Sequence, residues 1–181
     1  MPPFALHEGS PLSVAELSAA RLDGDIVAVG RNAYAAVDQP HNDMVRANVA
    51  RPVIPAGFAA VGRTAAWIHG ALQAEPDPHH AQRLESTPAK RHWATGVVLH
   101  DWPLPEVDTV SIARVTVATI ERTFYDVARA SFADADDALA ATALRTLLAR
   151  EDLADPMLAW LEQGRRLRFT HTLARLIRQS G

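Results

Sequence analysis

The chain has 181 residues, 48% of them hydrophobic and 22% charged, with a formal net charge of −3. This length supports one ordinary core with at most a small satellite module, and the composition excludes global disorder. The absence of cysteine excludes disulfides, thiolate metal sites and cysteine nucleophiles, while the charge balance excludes a general basic coat but leaves room for a local basic face.

The opening MPPFALHEGSPL lacks a basic region followed by an apolar core, and no stretch holds the roughly 18 uninterrupted apolar residues of a membrane helix. A cytoplasmic protein without membrane contact is expected. Residues 1–11 read as a loose, proline-containing arm. Ser13 with Glu16 forms a capping box that opens a helix from about Val14 to Leu22, ended by Asp23-Gly24. IVAVGRNAYAAV then reads as a hairpin turning at Gly30-Arg31-Asn32. A short helix followed by a hairpin is the second half of a winged helix, with Arg21 near the end of the reading helix and Arg31 and Asn32 at the wing tip. An αββ cap on a larger domain is the alternative, since Glu16, Asp23 and Asp25 repel phosphate.

Asp38-Gln39-Pro40 marks a boundary. Asp43 is placed to cap a helix from Met44 to Arg51, and the proline-rich PVIPAGFAAV argues against a central strand. VGRTAAWIHG predicts a short buried helix: alanines allow close approach, Trp67 supplies a large apolar contact, and Gly70 provides the exit. His69 reads either as a buried hydrogen-bonding histidine or as a base. QAEPDPHHA is expected to be an exposed loop, so Asp77, His79 and His80 are not taken as a metal site.

Strands are expected over Gln82–Ser86 and Thr95–His100, flanking a polar excursion in which Lys90 and Arg91 stand beside His92 and Trp93. That cluster suits either a phosphate grip with a stacking indole or an ordinary surface turn. DWPLP closes the second strand as a loop, and VSIARVTVA is a strand or tight hairpin. Thr119 opens a helix with Ile120, Phe124, Val127 and Ala128 inward and an Arg122–Asp126 surface or interlayer pair. Asp134 is read as the cap of the next helix, and Asp155-Pro156 as the start of another. The last helix, about Leu167 to Gln179, turns Phe169, Leu173, Leu176 and Ile177 inward. It carries a basic stripe of Arg168, His171, Arg175 and Arg178, with Arg165 and Arg166 upstream. Such a stripe fits a phosphate backbone, an acidic protein surface or a solvated helix end.

No phosphate-binding glycine loop, HExxH, GxSxG or zinc-ligand pattern occurs. The residues thus point to an α+β protein without catalytic or metal-ligating residues and without a cofactor. Residues 1–40 form a partial winged-helix-like module, and 41–181 a mixed α/β domain with a basic C-terminal helix.

GRNAYAAV, GRTAAWIHG, TGVVLHDWPL and VTVATIERTFYDVAR, in that order, resemble the antitoxin and transcriptional-regulator family of type IV, abortive-infection toxin–antitoxin systems. The likeness spans roughly residues 20–155. It implies a winged-helix N-terminal domain joined to an α/β antitoxin domain, repression of its own or a neighbouring promoter, and a nucleotidyltransferase-like toxin as protein partner. Under that reading double-stranded DNA is bound by Arg21, Arg31, Asn32, Lys90, Arg91, Arg165, Arg166, Arg168, Arg175 and Arg178, with a homodimer supplying two half-site contacts. The alternative is a protein-interaction module that neutralises its partner without specific DNA binding.

Overall fold

A computed structural model describes residues 6–7, 12–31, 33–38, 42–88, 95–163 and 167–180. The described residues form an α+β fold with seven α-helices and two sheets. Helix α1 spans Val14–Leu22, and its capping box is closed: Glu16 N–H donates to Ser13 Oγ at 3.3 Å, while Ser13 N–H donates to Glu16 Oε2 at 2.7 Å. Gly24, at φ +80°, turns the chain into strands β2 (Ile26–Gly30) and β3 (Ala33–Ala36). The arm was expected to be loose throughout, yet Leu6–His7 forms strand β1 on β3, giving the antiparallel order β1-β3-β2. Its backbone pairs with the edge that the hairpin leaves open.

Helix α2 spans Asp43–Ala50, and its cap is Asn42, whose Oδ1 accepts the Val45 N–H at 3.1 Å; Asp43 is the first helical residue instead. A five-stranded sheet follows in the order β6-β5-β4-β8-β7. Its strands are β4 (Phe58–Ala60), β5 (His79–Leu84), β6 (Val97–Leu104), β7 (Thr109–Ile112) and β8 (Val115–Ala118). β4 is central, against expectation. Pro52 and Pro55 precede it, so the three residues that pair keep every donor. β5 begins at His79 rather than Gln82, so both histidines are strand residues, and β6 continues through Asp101, Trp102 and Pro103 to Leu104. β6 is an edge strand, where a proline without a donor is tolerated.

Helix α3 (Gly62–Ile68) is the middle of the core: Ala65, Ala66, Trp67 and Ile68 are buried, and Gly70 leaves at φ +83°. Helix α4 (Ile120–Ala133) packs on α3, on α5 (Ala138–Leu148) and on α6 (Ala154–Leu161). The cap of α5 is Asp137, not Asp134; its Oδ1 accepts the Ala140 N–H at 2.9 Å. α6 starts at Ala154, leaving Pro156 inside the first turn, where amides lack helical acceptors anyway. Helix α7 (Thr170–Ser180) lies on α6. Leu173 and Ile177 are buried and Leu176 is half-buried, but Phe169 sits before the helix at φ +63° and is exposed.

The Arg122–Asp126 pair is not at the surface. Arg122 Nε donates to Asp126 at 3.1 Å and Nη1 to Asp108 at 3.3 Å, and Trp160 Nε1 donates to Asp108 at 3.2 Å, all buried. Asp108, in the 3₁₀ turn Glu106–Asp108, is the polar partner that sequence spacing did not identify. Burial pushes the Asp126 carboxyl above its ordinary range, opposed by the Arg122 charge.

Candidate nucleic-acid interface and a polar cleft

Of the residues expected to meet DNA, Arg21 is exposed in the last turn of α1, and Arg31 is exposed between β2 and β3. Gly30 approaches α2 so closely that a Cβ there would stand 2.6 Å from Val49 Cγ1 and 2.8 Å from Glu75 Oε2. This contact delivers the Arg31 N–H to Glu75 Oε2 at 2.6 Å, and the Arg31 guanidinium meets Asp77 at 2.5 Å. The wing-tip arginine is therefore partnered by an acidic loop. Arg175 and Arg178 are exposed on α7, as is His171, so the helix presents a basic outer face; Arg168, expected within the helix, is exposed in the turn before it, and Arg178 reaches Glu162 only at 4.0 Å. Asn32, Lys90, Arg91, Arg165 and Arg166 lie outside the described residues. The hairpin packs on α2 and α7 on α6, so these arginines are carried by separate elements.

Consecutive residues of a strand face opposite ways, and β5 uses this to separate its two histidines. His79 turns to the side of the N-terminal module, where its Nε2 meets Glu75 Oε1 at 2.8 Å and its Nδ1 lies 3.4 Å from the buried Thr64 hydroxyl. Desolvation would raise the Glu75 carboxyl, but His79 and the Arg31 amide hold it below its ordinary value. His80 faces the other way. Parallel pairing sets Gln82 opposite His100, which places His80, Gln82, His100 and Trp102 on one face of β5 and β6. The sequence does not display this group, because QAEPDPHHA reads as a loop and only the strand pairing brings the four side chains to one face. The signal was present as the two period-two patterns His80-x-Gln82 and His100-x-Trp102.

This face lines a cleft of about 220 Å³ closed by Arg63 of α3, Asp126 and Arg129 of α4, and Asp137 at the cap of α5. His80 Nδ1 and His100 Nε2 are 3.2 Å apart, with ring centres 5.4 Å apart and planes 22° from parallel. The centre-to-centre distance is close to the N···N distance plus a ring radius at each end. Both nitrogens thus lie on the line joining the rings, and the contact is an in-plane hydrogen bond rather than a stack. One neutral imidazole donates and the other accepts. Burial first, then the charges of His100 and Arg63, lowers His80 to about 4. Burial and the Arg129 charge lower His100 likewise. Arg63 closes on Asp137 at 2.6 Å. Trp102, half exposed, lies 4.8 Å from the His100 ring. Gln82 is buried, yet its Nε2 has no hydrogen-bond partner.

Among the described residues, no group of three or more histidines and carboxylates is arranged to hold a metal ion. None of the helices they form is long and apolar enough to cross a membrane. No protein-family model matches the chain, and no curated protein matches it.

Proposed function

We propose that this chain is a cytoplasmic DNA-binding transcriptional regulator of the antitoxin type. The observation that carries the reading is the N-terminal arrangement, in which α1 precedes an antiparallel hairpin and β1 adds to β3 in the order β1-β3-β2. A winged helix arranges a reading helix, a wing and a short third strand in this way. The exposed basic face of α7 supports the same reading. Arg21, Arg31 and Asn32 then meet a groove, while Lys90, Arg91, Arg165, Arg166, Arg168, Arg175 and Arg178 hold phosphates; the phosphate contacts supply most of the affinity. Two copies on adjacent half-sites double a small reading head. The test is titration of the full chain into labelled duplex from its own upstream region and into random duplex across a salt series. The expected result is preference for the upstream duplex with affinity falling steeply as salt rises. Failure to bind either duplex at low salt refutes it.

The second reading is a protein-interaction module that neutralises a nucleotidyltransferase-like toxin without reading DNA. Two observations favour it: Asp77 occupies the Arg31 guanidinium, and the N-terminal module exposes Val14, Leu22 and Val37. Copurification with such a toxin encoded beside it, and loss of toxicity on coexpression, is the expected result. Independent behaviour of the two proteins refutes it.

A further inference from the structure

We propose that the cleft between β5, β6 and helices α3, α4 and α5 binds one uncharged, planar nitrogen heterocycle of nucleobase size. This goes beyond the DNA reading and does not depend on it. Among the described residues, the interior of the cleft holds no charged group without a partner. Arg63 is closed on Asp137 and Asp126 on Arg122, and burial disfavours the charged form of both histidines. Arg129 alone stands unpaired among the hydrogen bonds and ion pairs described, at the exposed rim. Each carboxylate of the wall is already offset by an arginine, so the interior offers an ion no uncompensated partner, and the Arg129 guanidinium lies at the rim where solvent screens it.

What the cleft supplies is hydrogen-bonding capacity beside an aromatic wall. Gln82 lines the wall, and its amide nitrogen is buried and unpartnered, which costs about 1–3 kcal/mol; turning the amide towards the cleft gives that nitrogen a ligand carbonyl as acceptor. The histidine pair shares one proton along its N···N axis, so whichever ring donates inward has a bare outer nitrogen and the other ring has an outer N–H. The pair therefore carries one outer donor and one outer acceptor, and moving the shared proton with its tautomeric partner exchanges them. The two outer nitrogens lie at opposite ends of the pair, and a ring that carries both a carbonyl and an N–H group, as a nucleobase does, complements whichever one it meets in either form. Trp102 leans against His100 at the mouth with half its surface free, placed to cover the flat face of such a ring. Val127 and Ala140 provide the apolar remainder.

The experiment is isothermal titration calorimetry of the full chain, without DNA, against adenine, hypoxanthine and uracil at neutral pH, with inorganic phosphate in parallel. The expected result is saturable one-to-one binding of at least one base and none of phosphate. Gln82→Leu, nearly isosteric and relieved of an unpartnered donor, keeps or raises the thermal midpoint and weakens base binding about tenfold. Trp102→Ala, at a half-exposed position, weakens it about tenfold or more while leaving the midpoint in place. Should Gln82→Leu fail to fold, Trp102→Ala decides alone. The proposal is overturned if no base binds up to its solubility, if phosphate binds in place of the bases, or if the folded variants bind like the parent chain.

Discussion

Replacing Arg122 by Met tests how the buried ion network carries the fold. The guanidinium serves Asp126 at 3.1 Å and Asp108 at 3.3 Å, and all three side chains are buried. Methionine fills much of the same volume but leaves two carboxylates without their cation. Breaking a buried pair in this way costs about 3–5 kcal/mol, because the remaining charge stays uncompensated. For a chain of this length that lowers the thermal midpoint by about 6–20 °C. The cost also depends on pH in a definite direction. Burial already raises the Asp126 carboxyl and Arg122 pulls it back, so without Arg122 it rises further. The folded variant then holds a proton that the unfolded chain has released above about pH 3.9, and its stability falls as pH climbs from there towards neutrality. Urea denaturation of parent and variant at pH 4 and pH 7 should show the larger difference at pH 7. The triple variant R122M/D108N/D126N, with no charge left in the network, should recover much of the loss. A difference below about 1 kcal/mol at pH 7, or a triple variant no more stable than the single one, refutes the reasoning.

Three further outcomes are expected. His80 stays neutral in the folded chain down to about 4 but takes up a proton below 6.5 when unfolded. Its share of stability is therefore present above pH 6.5 and lost as pH falls towards 4. Allowing for its partial exposure, this amounts to about 2 kcal/mol, and His80→Asn should flatten the pH profile of the unfolding free energy from urea denaturation by that amount. Asp77→Asn releases the Arg31 guanidinium; in the DNA titration it should tighten binding and steepen the salt dependence by about one phosphate, an effect that Arg31→Ala abolishes. Gly30→Ala drives a Cβ into Val49 and Glu75 and should cost about 1–3 kcal/mol by denaturation. Its amide exchange should quicken first at Arg31, whose N–H donates to Glu75.

Elements with a local chemical signature were legible. The capping box before α1, the alanine-rich approach of α3 and its glycine exit, and the apolar stripe of α4 all follow from residues a few positions apart. The hairpin of β7 and β8 was less so: Ala113 and Arg114 turn it at φ +48° and +66°, a conformation that neither residue advertises. The central position of β4 was hidden because its two prolines lie just outside the paired residues. Long-range polar partners were not legible at all. Asp108 reaches Arg122 across fourteen residues and His80 reaches His100 across twenty, and only the register of the strands brings them together. Of the expected DNA contacts, the described ones, Arg21, Arg31, Arg168, Arg175 and Arg178, are exposed, but nothing in the sequence shows that Asp77 would claim Arg31.

His79 and His80 lend β5 a safeguard that apolar patterning alone would not provide. Sliding the strand by one residue would turn His80 towards Glu75 or His79 towards His100, so either slip keeps one imidazole contact and loses the other. Only the native register gives Glu75 and His100 a histidine each. The anchor of the N-terminal module and the polar wall of the cleft are thus completed by the same alignment of β5.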